Sequence, residues 1–107
     1  MKYPKFIVLK DFQNNIELRL GEVEFHIHLL EKSDKKHGKT CIGGGLFEVV
    51  ESKQEIWLYG SSTDFGSVDK NILNKIKLND EHIFDLQLIE KYSNNDFKGY
   101  KFVIKDF

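Results

Sequence analysis

The residues of this chain whose types and spacing could do chemistry lie between positions 25 and 66. His26 follows an aromatic residue, and a histidine side chain titrates close enough to neutrality to act as a base. Residues 43–45 are three consecutive glycines, which cost backbone entropy and are kept where a side chain would be in the way. Residues 59–66 are rich in Gly and Ser, a composition typical of turns whose amides cradle an oxyanion. The pattern therefore predicts a small anion site with an imidazole at its edge.

The bulk composition limits the classes of function. A chain of 107 residues with one Pro fits a single domain over residues 1–107. A formal net charge of -1 argues against a dedicated nucleic-acid binder. No apolar run reaches the length of about 18 residues that a membrane span needs. The single cysteine, Cys41, allows no internal disulfide, which favours a reducing compartment, and we expect a cytoplasmic location. We also expect a monomer that does not bind membranes.

Alternating and β-branched apolar residues predict most of the strands. Residues 16–20 alternate apolar and charged side chains, which indicates a half-buried strand. Residues 52–54 would join two further strands as a hairpin, and residues 93–96 would form a later turn. The predicted strands cover residues 6–12, 16–20, 40–51, 55–59, 84–92 and 100–104.

Two helices complete the expected fold. The first is predicted from residue 27 to residue 37, before the stop signal at Gly38, although the alternation of its first residues also suits a strand. The second covers residues 68–78, with Ser67 as N-cap and an apolar face at 3.6-residue spacing. The order β-β-α-β-β-α-β-β predicts an α+β domain: a single mixed or antiparallel sheet of about six strands with two helices packed on it.

Four short motifs occur in a fairly specific order. They are residues 4–9 (PKFIVL), 24–26 (EFH), 41–45 (CIGGG) and 59–66 (YGSSTDFG), of which 59–62 and 65–66 carry the match. In these motifs the chain resembles the janus/ocnus family, whose best-known member is a protein phosphohistidine phosphatase. The similarity extends roughly over residues 5–76. It implies a metal-independent and cofactor-free phosphatase acting on phosphohistidine-containing proteins.

The resemblance also implies roles for individual residues. His26 corresponds to the catalytic histidine, and the backbone amide of Ile27 and the turn at residues 62–64 would bind phosphate or sulfate. Lys5 falls where the family has a lysine near the phosphate, whereas Arg19 matches a family arginine only with a shift of one position. The residues implied to bind phosphate are Lys5, Arg19, Ile27, Ser62, Thr63 and Asp64.

Two positions depart from the family pattern. Leu46 follows the three glycines where the family has an arginine, which removes an expected cation. Asp64 lies in the phosphate-binding turn, where its charge would repel the ligand unless the side chain points away. An alternative function is therefore a non-catalytic phosphate-binding, phosphoprotein-binding or interaction domain on the same scaffold.

His26 could serve the reaction in more than one way. As a neutral imidazole near a helix N-terminus it would deprotonate an attacking water. The residues also leave open a covalent route in which His26 itself takes the phosphoryl group. A further alternative pairs His26 with His28 as metal ligands on a strand edge, but no Cys, Asp or Glu is clearly placed to complete such a site.

Overall fold

The computed structural model describes residues 2–77, 84–88 and 100–105, and six strands lie among them. The strands occur along the sheet in the order β5-β2-β1-β3-β4-β6. The pairs β1–β2, β1–β3 and β3–β4 are antiparallel, whereas β2–β5 and β4–β6 are parallel. The expected α+β architecture with a single mixed sheet is thus confirmed. The strands are β1 (Tyr3–Lys10), β2 (Ile16–Val23), β3 (Thr40–Val50), β4 (Glu55–Tyr59), β5 (Phe84–Leu88) and β6 (Lys101–Ile104).

The sheet is covered on both faces where β1 and β2 cross its centre. In β1, Phe6 and Val8 enter one core cluster while Ile7 and Leu9 enter another, because successive side chains point to opposite faces. Residues 16–20 lie in the expected strand, but the expectation that this strand is half-buried is wrong, since every residue of the stretch is buried. The second face of β2 is covered by the chain that follows it.

One α-helix packs on the first of these faces. This helix, α1 (Lys70–Lys77), begins two residues later than predicted because Asp69, and not Ser67, caps it. The Asp69 carboxylate accepts the amide of Asn71 at 2.7 Å, and its carbonyl accepts the amide of Ile72. The expected apolar face is confirmed: Val68 and Ile76 are buried in the core, with Ile72 and Leu73 packed against it.

The helix predicted over residues 27–37 does not form. Two short 3₁₀ turns, His26–Leu29 and Lys32–Asp34, take its place on the second face of the sheet. Leu30 (φ -82°, ψ 149°) and Glu31 (φ -114°, ψ 152°) are extended between them, so no continuous α-helical hydrogen bonding is possible. The first residues of this segment alternate between apolar and polar types, and this pattern competed with the prediction of a continuous helix.

Some expectations fall on residues outside the described part of the chain. They are the C-terminal end of the strand predicted over residues 84–92 and the turn at residues 93–96. Within the described residues, no helix has the length and apolar character needed to cross a bilayer.

Candidate functional site

His26 lies buried against the glycine segment of β3. Its residue exposure is 5%, and its Nε2 lies 2.8 Å from the carbonyl oxygen of Gly45. A carbonyl oxygen can only accept a hydrogen bond, so Nε2 must carry the proton and donate it. In the neutral ring the lone pair is therefore on Nδ1, which has no hydrogen-bond partner among the described residues. Nδ1 is the atom that can accept a proton.

The surroundings of His26 hold its pKa below the usual value of 6.5. Burial is the largest cause because it disfavours the charged imidazolium. The hydrogen bond to Gly45 acts in the opposite direction, the positive charge of Lys5 lowers the pKa, and the negative charge of Asp64 raises it. The net effect is a neutral ring at pH 7, which is the form a general base requires.

The three glycines make room for this arrangement. A Cβ on Gly44 would lie 3.1 Å from Cδ2 of His26 and 2.5 Å from the carbonyl oxygen of Phe6. A Cβ on Gly43 would lie 2.8 Å from the carbonyl oxygen of Ser67, and one on Gly45 would press on the Phe6 ring at 2.8 Å. The triplet therefore has a packing role on both faces of the sheet, and Gly44 in particular lets the His26 ring approach β3.

Lys5 supplies a positive charge beside His26. Its ammonium donates a hydrogen bond to the carbonyl of Glu24, two residues before His26, and lies within 6.0 Å of the Tyr3 ring and 5.8 Å of the Phe25 ring. In the sheet, Lys5 is opposite Leu46 of β3. The half-buried Leu46 thus places an apolar side chain where the resemblance implied a second cation.

The turn at residues 62–66 is held together by its own hydrogen bonds. The hydroxyl oxygen of buried Ser62 accepts the amides of Asp64 and Phe65, each at 3.1 Å. The amide of Ser62 donates to the carbonyl of Gly66, which also accepts the amide of Gly44 at 3.1 Å. The turn is thereby fastened to β3 beside His26, and the amides of Ser62 and Asp64 are occupied within the protein.

Backbone amides of the first 3₁₀ turn and of the turn at residues 62–66 remain available. Within residues 2–77, 84–88 and 100–105, the amides of Ile27 and Thr63 have no hydrogen-bond partner. Ile27 lies in the first 3₁₀ turn, whose leading amides have no carbonyl within the turn to bond. The structure therefore brings together His26, Lys5, Ile27 and Asp64, whereas it assigns Ser62 to the support of the turn.

Arg19 occupies a different place from the other predicted site residues. It is 0% exposed and donates five hydrogen bonds, to Glu17, Asp34 and the carbonyl of Leu29. Leu29 is the last residue of the first 3₁₀ turn, and Asp34 is the last of the second. Through these hydrogen bonds Arg19 holds both turns against β2, and it thereby fixes the position of the segment that carries His26.

The sequence alone did not reveal the partners of Arg19. Burial raises the pKa of the Asp34 carboxyl, but hydrogen bonds from Arg19 and from the Glu31 amide outweigh it and leave the pKa below its usual value. Glu17 also accepts a hydrogen bond from Lys39 at 2.7 Å. The one signal in the sequence is that Glu17 and Arg19 are two positions apart in a strand, a spacing that places both side chains on the same face of the sheet.

Other features of the described residues lie away from His26. A cavity of about 550 Å³ opens between α1 and β4, lined by Phe6, Leu58 and Val68 among others, on the face opposite the 3₁₀ turns. No three His, Cys, Asp or Glu side chains of the described ranges are grouped as metal ligands would be.

A comparison with protein families gives a match over most of the chain. The model of the Janus/Ocnus family matches residues 7–84, from within β1 to the first residue of β5. No curated protein matches the chain. The matched range contains His26, the glycine triplet, the turn at residues 62–66 and Arg19.

Proposed function

We propose that this chain, which belongs to the Janus/Ocnus family, hydrolyses phosphohistidine on proteins without a metal ion or cofactor, and that it does so in the cytoplasm. The observation that carries the proposal is the placement of His26: a buried ring whose Nε2 is fixed by the carbonyl of Gly45 and whose Nδ1 is left to accept a proton. Burial also holds the pKa of the ring below its usual value, which favours the neutral form. Phosphate transfer depends more on positioning and charge stabilisation than on covalent chemistry, so a small site of this kind is sufficient.

Phosphate would be bound next to this ring. The amides of Ile27 and Thr63 and the ammonium of Lys5 are the donors available for its oxygens. The binding role first implied for the turn at residues 62–64 then rests on Thr63, with Ser62 holding the turn in shape. Arg19 acts through the 3₁₀ turn that it fastens and does not contact the ligand.

The reaction follows from these positions. Nδ1 of His26 takes a proton from water, and the water oxygen forms a bond to phosphorus. The P–N bond breaks, its electron pair goes to the leaving imidazole nitrogen, and that nitrogen takes up a proton. The products are inorganic phosphate and unmodified histidine. General base catalysis of this kind is worth about 10²–10⁴-fold in rate.

A second candidate is a domain that binds a phosphoprotein without hydrolysing it. The charge of Asp64 beside His26 and the apolar Leu46 opposite Lys5 favour it, because both reduce the charge stabilisation on which phosphoryl transfer depends. Phosphohistidine hydrolysis by the purified chain would exclude this candidate. Amide shifts of Ile27 and Thr63 on titration with sulfate, without hydrolysis, would support it.

The deciding experiment replaces His26. His26→Gln keeps an N–H that can reach the carbonyl of Gly45 but removes the base, so we expect a loss of at least about 100-fold in phosphohistidine hydrolysis with the fold intact. His37→Ala is the matched control, since His37 is exposed. Phosphate release from a phosphorylated histidine peptide measures the rate, and circular dichroism checks folding. An unchanged rate in His26→Gln would remove His26 from the mechanism.

A further inference from the structure

Large exposed hydrophobic side chains are concentrated around His26. The described residues include four of them, and Tyr3 (50% exposed), Phe25 (51%) and Ile27 (55%) belong to the part of the chain next to this site. The fourth, Phe12 (80% exposed), follows the opposite end of β1. Hydrophobic side chains exposed as a group, and not scattered singly, mark surfaces that bind a partner. We call Tyr3, Phe25 and Ile27 the apolar rim.

The apolar rim is joined to the charge of the site. The ammonium of Lys5 lies between the rings of Tyr3 and Phe25, at 6.0 and 5.8 Å from their centroids. The Phe25 ring also packs edge-on against His28, with centroids 5.7 Å apart. A ligand that brings a phosphate to Lys5 must therefore place its neighbouring groups against aromatic surface.

The depth of His26 indicates what kind of ligand can use this surface. The ring is 5% exposed, whereas its two neighbours in the chain, Phe25 and Ile27, are about half exposed, so a reacting group that reaches the ring passes these side chains. A long side chain projecting from an extended polypeptide can do so while the residues on either side of it stay on the rim. A free phosphate ester is too small to cover three large side chains.

The charge around the site also disfavours one type of flanking residue. Lys5 is the positive charge beside the rim, and the phosphate of the ligand would neutralise it. Asp64 is exposed and acts electrostatically on His26, so an acidic residue next to the phosphorylated side chain would then add a further negative charge beside Asp64. An apolar flanking residue avoids this repulsion and removes rim surface from water.

We propose that the apolar rim is a docking surface for protein segments in which apolar residues flank the phosphohistidine, and that it discriminates against acidic flanks. The occupant is an extended segment of another protein. This inference rests on the proposed function of the site, and it adds the sequence selectivity of that function.

The test compares two phosphohistidine peptides that differ only in the flanking residues, Leu on both sides or Asp on both sides. We expect the protein to prefer the Leu-flanked peptide by at least about tenfold in kcat/KM. Phe25→Ser, Ile27→Ser and Tyr3→Ser should each reduce this preference by about three- to tenfold. Phe12→Ser is the matched control and should leave both rates and their ratio unchanged. A ratio of rates is used because a general loss of activity does not change it.

Equal rates on the two peptides, or a preference that survives all three rim substitutions, would overturn the proposal. Hydrolysis of neither peptide would instead contradict the proposed function. In that event the same pair of peptides, carrying a non-hydrolysable phosphohistidine analogue, is titrated into the labelled protein. Tighter binding of the Leu-flanked peptide that depends on Phe25 and Ile27 supports the docking surface, and equal or absent binding rejects it.

Discussion

Replacing Arg19 with methionine tests whether the buried ion network holds the His26 segment in place. The Arg19 side chain is 1% exposed, and its main partners, the carboxylates of Glu17 and Asp34, are 11% and 8% exposed. Methionine fills much of the same space with no charge, so the substitution isolates the loss of the guanidinium. The carbonyl of Leu29 would then lose its hydrogen bond from Arg19, and Asp34 would lose two while keeping the one from the Glu31 amide.

The expected cost follows from which groups are left without a partner. Removing one member of a buried ion pair costs about 3–5 kcal/mol in the free energy of unfolding, because the remaining charge stays buried. Glu17 keeps its ion pair with Lys39 at 2.7 Å, so the lower end, about 3 kcal/mol, is appropriate here. That is a large fraction of the roughly 5–15 kcal/mol by which domains are stable.

The dependence on pH identifies the charge as the cause. In the wild type the pKa of Asp34 is held below 3.8, so its contribution to stability is complete above that value and is lost as pH falls through the lowered pKa. Without Arg19 the principal lowering influence is absent, and burial, which raises the pKa of Asp34, is opposed by the hydrogen bond from the Glu31 amide and by the charge of Lys39. The stability difference between wild type and Arg19→Met should therefore be largest at pH 7 and shrink below about pH 4.

Urea denaturation at pH 7 and at pH 3 measures this difference. Lys36→Met is the control for the loss of a positive charge, since Lys36 is exposed, and it should change stability by less than about 0.5 kcal/mol. NMR signals of Leu29 and His26 should also move in Arg19→Met and not in the control. A loss below about 1 kcal/mol, or a difference independent of pH, would refute the positioning role of Arg19.

Three further predictions concern the site itself. Gly44→Ala should cost about 1–3 kcal/mol of stability in urea and lower phosphohistidine hydrolysis, because the new Cβ would press on the His26 ring and on the carbonyl of Phe6. In NMR titrations, Lys5→Met should raise the pKa of His26 and Asp64→Asn should lower it, and shifts of the same sign would contradict the assigned contacts. In the pH profile of kcat/KM for the wild type, the midpoint of the decrease on the acid side should lie below pH 6.5, because the pKa of His26 is held under that value.

The fold could be predicted where local patterns agree with the final burial. Strand β4 has the bounds expected from its alternation, and the apolar face of α1 follows from helical spacing. The helix expected after residue 26 fails because its residues satisfy two patterns at once and tertiary contacts decide between them. Hydrogen bonds from Arg19 to Leu29 and Asp34 hold two separate turns in place of one helix.

The site could be predicted only in part, for a physical reason. The sequence signals His26 and the glycine triplet because a base and a small-residue segment have compositional signatures. The sequence does not show that Gly44 makes room for the His26 ring, because residues 26 and 44 are distant in the chain and come together only in the folded protein. Nor does it show that the Ser62 hydroxyl occupies the amide of Asp64, because that hydrogen bond depends on the conformation of the turn.

Lys5 takes part in both proposals, because its ammonium is a donor for the phosphate in the first and lies beside the apolar rim in the second. Its ammonium is bonded to the carbonyl of Glu24, so it stays beside the His26 segment without a bound ligand. It lowers the pKa of His26, and the apolar Leu46 opposite it means that no second cation is supplied from that position of β3. The charge proposed to bind phosphate therefore also acts with burial to keep the base neutral. Lys5→Met should therefore impair both, which a phosphate-binding role alone would not predict.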